Sequence, residues 1–494
     1  MQKASSIKGF SSLVQSKNNL VDREGSWNVR GGSSARFADL GFISSKHRKV
    51  RYSHGKNLNK VLGRKCITGL RCTGNDRLRL GQSCKKQDVE GHAVSDSKDE
   101  NGISHNSIVS QEDLQSEISG GSHSSPVENL RPRTEGMVFG LGQPGSWDSM
   151  EVGCPVVRRY LGDNEQRWYM WYYGRKKGSR DSVGLTVSAN GIHWQRGTGR
   201  IETDDDVGIV MECSEDWWAF DTEIVRPSDI LILSSEKLKA SSGVYWMYYS
   251  GCNADEINVP QVLLGNPWMF EETGLESTLF RSLPGLAMSP DGRNWARIEG
   301  DHHSGALFDA GTEGEWDSLS VGSPQVVFHS PDDLRMYYHS LDVKSGCFAV
   351  GVARSRDGVK WVKLGKILEG GPPGSFDEIG ITARQVISNQ NGHGYMMIYE
   401  GVAADGTRSI GLARSSDGLK NWIRCQNEPV FRPATSSNSW DNRGVGSPCL
   451  VQMDENEWRL YYQGVGSAGR SGIGLAISTD GSLTNFQRWH GFHV

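Results

Sequence analysis

The sequence predicts an all-β fold: a five-bladed β-propeller of four-stranded antiparallel blades, preceded by a disordered N-terminal region. Three observations lead there. An aromatic–Asp pair recurs five times, as Trp147-Asp148, Phe220-Asp221, Trp316-Asp317, Phe376-Asp377 and Trp440-Asp441, each time followed by an apolar run. Each copy holds four short runs rich in Val, Ile, Tyr and Trp, separated by clusters of Gly, Asp, Asn and Ser, which is how strands and tight turns read. Residues 53–138 contain no Phe, Trp or Tyr, whereas fifteen of the sixteen Trp lie beyond them, so the apolar surface that can build a core is confined to the C-terminal part. An all-strand unit repeated in this way buries its faces against its neighbours around a central channel.

In chain order, residues 1–72 carry fifteen Lys or Arg against three acidic side chains, with eleven Ser and no long apolar stretch. This Ser-rich, acid-poor profile predicts an organelle transit peptide and a chloroplast stromal location; the alternative is a basic disordered tail, such as a nucleic-acid arm. Residues 73–134 are polar and of mixed charge, unable to bury enough apolar surface to offset their ordering entropy, and are expected to form a disordered linker. Residues 135–494 are the propeller. The formal net charge of −4 gives no general electrostatic case for binding nucleic acid or an anionic membrane, and no apolar run approaches the roughly 18 residues of a membrane span. The nine Cys are scattered, without a C-x-x-C pair or a His/Cys metal spacing, as expected of ordinary buried thiols.

Within the first blade, Pro155-Val156-Val157 is expected to be the inner strand, 168–173 the second, 183–188 the third and the region around Trp194 the fourth. The second blade carries an insertion between Gly251 and Gly285, with Pro260, Pro267, Trp268 and Phe270, a place where specificity is commonly built. Whether residues 137–141 complete the last blade is open from sequence. A second repeat, S-x-D-G-x-x-W, appears at Ser289–Trp295 and Ser355–Trp361, and in shifted form at Ser415-Ser416-Asp417-Gly418 before Trp422. Asp-Gly supplies a tight hairpin turn over which the Trp packs, a scaffold role.

Because Asp148, Asp221, Asp317, Asp377 and Asp441 stand at one phase in every copy, they are expected to cap turns or pin blades as a group. Positions that differ between copies are the better candidates for a site. Aligned on the inner-strand proline (Pro155, Pro227, Pro324, Pro448, with Arg384 in the fourth copy), only two copies have a carboxylate four residues earlier, Glu151 and Glu223. Arg226 stands directly before Pro227, where the others have Cys154, Ser323, Ala383 and Ser447. The second strand ends in Tyr173, Ser250, His339, Glu400 and Gln463. Glu151, Glu223, Arg226, Arg384, His339 and Glu400 are thus predicted to form a polar cluster at one mouth of the channel; the alternative is a set of buried ion pairs.

The five-fold count, second strands such as Met247-Tyr248-Tyr249 and Met336-Tyr337-Tyr338, and third strands such as Ile410-Gly411-Leu412-Ala413-Arg414-Ser415 resemble the five-bladed propeller glycosidases, the arabinanase, levansucrase and invertase superfamily of glycoside hydrolase families 43, 32 and 68. The resemblance covers about residues 136–494. It implies carboxylates around the channel, one donating a proton while another stays ionised. It also implies an Asp directly before a proline in the first blade, where this chain has Cys154, and no Asp-Pro occurs anywhere. The acid that family 43 often carries before a later proline falls on Gly322, and Glu212-Cys213 matches a family 32 acid motif in letters but not in place. Two classes stay open: a divergent glycosyl hydrolase using Asp148 or Glu151, Asp221 or Glu223, and Glu400, with Arg226, His339 and Arg384 orienting the sugar; or a non-catalytic propeller that binds a glycan or another protein. No cofactor is called for, and the run Asp204-Asp205-Asp206 is expected to be solvated rather than a metal site.

Overall fold

The computed structural model describes residues 135–491 apart from 162–165, 204–205, 234–243, 258–279, 331, 389–393, 455–456, 468 and 479. The predicted transit peptide and linker lie outside the described residues, as do Asp204-Asp205 and the insertion's Pro260, Pro267, Trp268 and Phe270. The described residues hold strands and no helix. The first is β1 (Met137–Phe139). Five runs of four follow: β2 (Glu151–Leu161), β3 (Gln166–Arg175), β4 (Ser182–Ser188) and β5 (Gly208–Glu212); β6 (Ile224–Leu233), β7 (Val244–Glu256), β8 (Phe280–Ser289) and β9 (Ala296–Ile298); β10 (Gly322–Ser330), β11 (Asp333–Asp342), β12 (Cys347–Ser355) and β13 (Val362–Leu368); β14 (Gly380–Ser388), β15 (Tyr395–Val402), β16 (Arg408–Ser415) and β17 (Ile423–Arg424); β18 (Gly444–Asp454), β19 (Glu457–Val465), β20 (Ser471–Ser478) and β21 (Gln487–Arg488).

Each run is an antiparallel meander. Units one and two are separate four-stranded sheets, and units three to five, with β1 added at β20, join into one 13-stranded sheet through single parallel bridges, Phe348↔Gly380 and Arg408↔Gly444. No one core serves the whole. Five apolar clusters each lie between two neighbouring units, from Trp171 with Met247 between units one and two to Trp168 with Tyr461 between units five and one. A sheet covered on both faces has no polar side, which is why β11 is buried along its whole length and why second strands read as unbroken aromatic runs.

The first strands lie side by side in the order β2, β6, β10, β14, β18, with β18 back beside β2. Side chains lace them where main chains do not pair. Asp229 accepts the Val326 N–H (3.0 Å), Gln325 that of Val386 (3.1 Å), Gln385 that of Leu450 and Cys449 Sγ that of Val157 (3.3 Å), while Arg158 donates to the Ile230 carbonyl (3.0 Å). Each bond satisfies a backbone group that would otherwise be buried without a partner.

The S-x-D-G turns join units as well as strands. Ser289 Oγ accepts the N–H of Gly292 (2.8 Å) and Asp291 those of Arg293 and Asn294 (2.8 Å each), with Gly292 at φ +74°, a conformation that favours glycine. The carbonyl exposed by this turn, or by its Ser188-Ala189-Asn190-Gly191 counterpart in unit one, accepts a hydrogen bond from the preceding unit: Trp171 Nε1 to Gly292 (2.8 Å), Tyr248 to Gly358 (3.1 Å), Tyr337 to Gly418 (2.8 Å) and Tyr461 to Gly191 (2.7 Å).

One expectation is corrected. The fourth strand of unit one is not the region around Trp194: Gln195 makes a single bridge to Val187, and the paired strand is β5, opposite 182–185. Arg196 turns inward to Asp148, so the chain leaves the sheet there and returns at Gly208. Residues 137–139 do complete the last unit: β1 pairs with β20 beside β21, while Phe139 packs edge-on against Tyr172 of unit one at 4.8 Å.

Candidate functional site

Three consecutive residues near the end of each second strand divide the work. Strand alternation puts the first and third on the face toward the next unit and the middle one on the other face. The middle residue is always Tyr, and its hydroxyl donates to the repeated Asp of its own unit: Tyr172–Asp148 and Tyr249–Asp221 (3.0 Å each), Tyr338–Asp317 and Tyr399–Asp377 (2.9 Å each), Tyr462–Asp441 (3.0 Å). A cation from the outer part of the unit meets the same Asp: Arg196, Arg297 (2.7 Å), Lys363 (2.9 Å), Arg424 (2.7 Å) and Arg488 (2.9 Å). The aromatic residue before each Asp lies against the Tyr ring, as Phe376 does on Tyr399 at an interplanar angle of 17°. Third-strand glycines make the room, for a Cβ on Gly411 would lie 2.5 Å from Tyr399 and 2.6 Å from Phe376. Asp148 and Asp221, two of the carboxylates singled out as candidates, sit fully buried in this five-fold clamp.

The third residue of the triplet reaches the inner strand of the next unit, so the divergent column Tyr173, Ser250, His339, Glu400, Gln463 forms the joints of the ring. Ser250 Oγ accepts the Ser323 N–H (2.8 Å), Glu400 Oε2 that of Ser447 (2.8 Å) and Gln463 Oε1 that of Cys154 (3.2 Å). Arg226 stacks on the Tyr173 ring at 4.3 Å, and Arg384 meets His339 Nδ1 at 3.2 Å. Cys154, Ser323 and Ser447, each directly before a proline, have φ of 48°, 46° and 46°. Non-glycine residues held in this region are strained, and such strain persists only where surrounding contacts fix it.

Around this ring the charges are paired. Glu151 receives Arg175 (2.7 Å), and the fully buried Asp181 receives Arg226 Nε (2.8 Å) while lying 3.8 Å from Arg175 Nε. Glu400 receives Arg408 and the Thr382 hydroxyl (2.9 Å) on one oxygen and the Ser447 amide on the other. Arg384 donates to the carbonyls of Thr382 (3.0 Å), Tyr337 (3.1 Å), Gly322 (3.3 Å) and Ser323. Burial, and then the charges of Arg384 and Arg408, push His339 well below the ordinary histidine range, so its imidazole is neutral. Burial raises the Cys154 thiol to about 11 against the pull of Arg226, leaving it protonated at neutral pH and a poor nucleophile.

Glu151, Arg226, His339, Arg384 and Glu400 are therefore brought to the joints of one ring. The charges of Arg226, Glu400 and Asp181 all act on Cys154, which ties units one, two and four together there. Glu223 stands apart at the entry to β6, 3.4 Å from a largely exposed Arg180. Sequence reasoning missed Asp181 and Arg408. Their signal is a second divergent column, the residue three before the repeated third-strand glycine: Asp181, Ser282, Phe348, Arg408, Ser471. No group of three or more His, Cys, Asp or Glu among the described residues is arranged to hold a metal.

No family model matches the sequence, and no curated protein does. Solved structures to which the chain is similar include a thermostable family-43 glycoside hydrolase (17% identity, TM-score 0.48, covering 69% of this chain and 96% of that one). A glycosyl hydrolase from Bacteroides ovatus is similar too (18%, TM-score 0.45, 70% and 92%). A third is an N-acetylgalactosamine deacetylase from F. plautii in complex with blood group B trisaccharide (13%, TM-score 0.46, 70% and 95%).

Proposed function

We propose that this chain is a five-bladed propeller of the arabinanase, levansucrase and invertase type that binds a carbohydrate at its channel mouth without hydrolysing it. The blade count is supported by five four-stranded units, five apolar clusters between units and inner strands whose order returns on itself. The observation that carries the functional reading is the state of Glu400: both oxygens are engaged by Arg408, Thr382 and the Ser447 amide, an arrangement that holds a joint rather than presents a proton to a leaving group. At the position before the first proline, where the resemblance implies an Asp, stands a protonated thiol. The groups that keep some exposure there are the side chains of Glu151, Glu223 and Arg226, from two units, and such groups are the means by which sugar hydroxyls are oriented.

The test sets the full chain against aryl glycosides and plant oligosaccharides, with turnover and calorimetric binding measured side by side. Binding of at least one oligosaccharide with no turnover, weakened by Arg226→Met, is the expected result. Turnover abolished by Glu400→Gln together with Glu151→Gln or Glu223→Gln, in variants that remain folded, overturns it. A hydrolase reading has one specific observation behind it: Glu223 is the candidate carboxylate held most loosely, by a long and largely exposed contact, so it heads that series of variants. The N-terminal composition further supports import into a plastid, checked by whether fusion of residues 1–72 to a fluorescent protein carries it into the stroma.

A further inference from the structure

The turn that leads into each aromatic–Asp pair is the same in all five units, closed by one backbone hydrogen bond: Ser146 N to Gln143 O (2.9 Å), Ala219 N to Asp216 O (2.9 Å), Glu315 N to Thr312 O (2.9 Å), Ser375 N to Pro372 O (3.0 Å) and Ser439 N to Ser436 O (3.0 Å). Its two central residues are Pro144-Gly145, Glu313-Gly314, Pro373-Gly374 and Ser437-Asn438 in four units, the residue types that tight turns favour. A Cβ built on Gly145, Gly314 or Gly374 meets nothing within 4 Å, so the tip of this turn projects into open space. In unit two the same two positions are Trp217 and Trp218. The scaffold does not require them, since the other four units close the turn without an aromatic. Trp217 is 90% exposed and Trp218 41%. Trp218 is backed: the Cβ direction of Gly305 (φ +86°) meets its ring at 3.8 Å, and the same loop accepts the Phe220 N–H on the Ser304 carbonyl (3.2 Å). One indole is thus braced, and the next presents its face to solvent.

We propose that Trp217 and Trp218 form a stacking platform for the outer residues of a neutral oligosaccharide whose inner residue lies at the channel mouth; this rests on the carbohydrate reading above. Four residues, Phe220 to Glu223, lead from the turn into β6, whose third residue is Arg226, so the platform lies on the approach to the strand end that carries the mouth. The rings are flanked by the exposed carboxylates of Glu215 and Asp216, which repel nucleic acid and anionic lipid and can accept hydrogen bonds from hydroxyls. An electron-rich indole face against the C–H face of a sugar ring, with acceptors at its edge, suits an uncharged saccharide.

Calorimetry of the full chain with neutral gluco-, xylo-, arabino- and galacto-oligosaccharides of increasing length tests this. Trp217→Ala, at an exposed site that leaves the fold intact, is expected to weaken binding of the longer ligands about five- to ten-fold, the scale of one aromatic contact, and to leave monosaccharide binding unchanged. Trp217→Phe retains most of the affinity, and Arg226→Met weakens every length. Equal affinity of Trp217→Ala and the native chain at every length overturns the platform and leaves the mouth reading standing. If the native chain binds none of the ligands, the mouth reading fails and the platform falls with it. Protection of Trp217 from N-bromosuccinimide that rises with protein concentration, with sedimentation showing dimers, overturns the platform in favour of self-association.

Discussion

Replacing Glu400 by Gln keeps the side-chain shape and removes its charge. Both carboxylate oxygens accept in the native chain, Oε1 from Arg408 and the Thr382 hydroxyl and Oε2 from the Ser447 amide at 2.8 Å. With its NH2 toward Ser447, a Gln sets donor against donor; with its NH2 toward Arg408, it loses the charged bond instead. Movement does not relieve this, because Gly446 approaches so closely that a Cβ there would lie 2.0 Å from Oε2. An unsatisfied buried donor costs about 1–3 kcal/mol, and breaking a fully buried ion pair about 3–5 kcal/mol. The Arg408 side chain is 18% exposed, so the pair is partly screened and the expected loss is about 2–3 kcal/mol. Urea unfolding of the full chain, followed by tryptophan fluorescence and circular dichroism so that coincident transitions license a single free energy, measures it. A double-mutant cycle with Arg408→Met should show coupling of at least about 1 kcal/mol. A loss below about 0.5 kcal/mol accompanied by abolished hydrolysis of any glycoside would refute the reasoning, since Glu400 would then be a proton donor and not a joint.

Four further outcomes follow from the same geometry. Asp148→Asn, Asp221→Asn and Asp441→Asn should each cost about 1–3 kcal/mol by weakening equivalent Tyr–cation clamps; loss of activity without loss of stability in the Asp148 variant would return that residue to the catalytic list. Gly411→Ala drives a methyl against Tyr399 and Phe376 and should cost about 1–3 kcal/mol, read as a lowered urea midpoint. His339 is held neutral when folded, so below about pH 6.5 the unfolded chain binds a proton that the native chain refuses. Stability is therefore lost as pH falls, by about 1.4 kcal/mol per unit until the depressed native value is reached, and His339→Gln should flatten that slope. A chain beginning at residue 142 loses β1, and with it the burial of Val138 and Phe139, about 3–6 kcal/mol, together with the hydrogen bonds of Leu475 to Gly136 and Trp440 to Glu135. It should unfold at much lower urea, and a peptide of residues 135–141 added back should restore part of the loss.

What the sequence determined by itself was everything written in repeats. The aromatic–Asp pairs, the Asp-Gly turns and the aromatic second strands announce themselves because one physical problem, seating a sheet between two others, is solved five times with nearly the same residues. Repetition also separated Asp317, Asp377 and Asp441 from candidate sites before any contact was known. The divergent second-strand column was legible for the same reason: a position freed from the common task differs from copy to copy, and all five of its members sit at joints of the ring. What only the tertiary structure decided was which charges meet across those joints. Asp181 and Arg226 are 45 residues apart in the chain, Glu400 and Ser447 47, and Cys154 and Gln463 309. Partners so distant share no local pattern, since their pairing depends on which unit ends beside which. The same holds for β1, three residues with no strand signature of their own, which become a strand because β20 presents unpaired backbone groups that must be satisfied. Whether a carboxylate offers its proton or spends it on a neighbouring arginine is a property of packing, and residue type alone does not specify it.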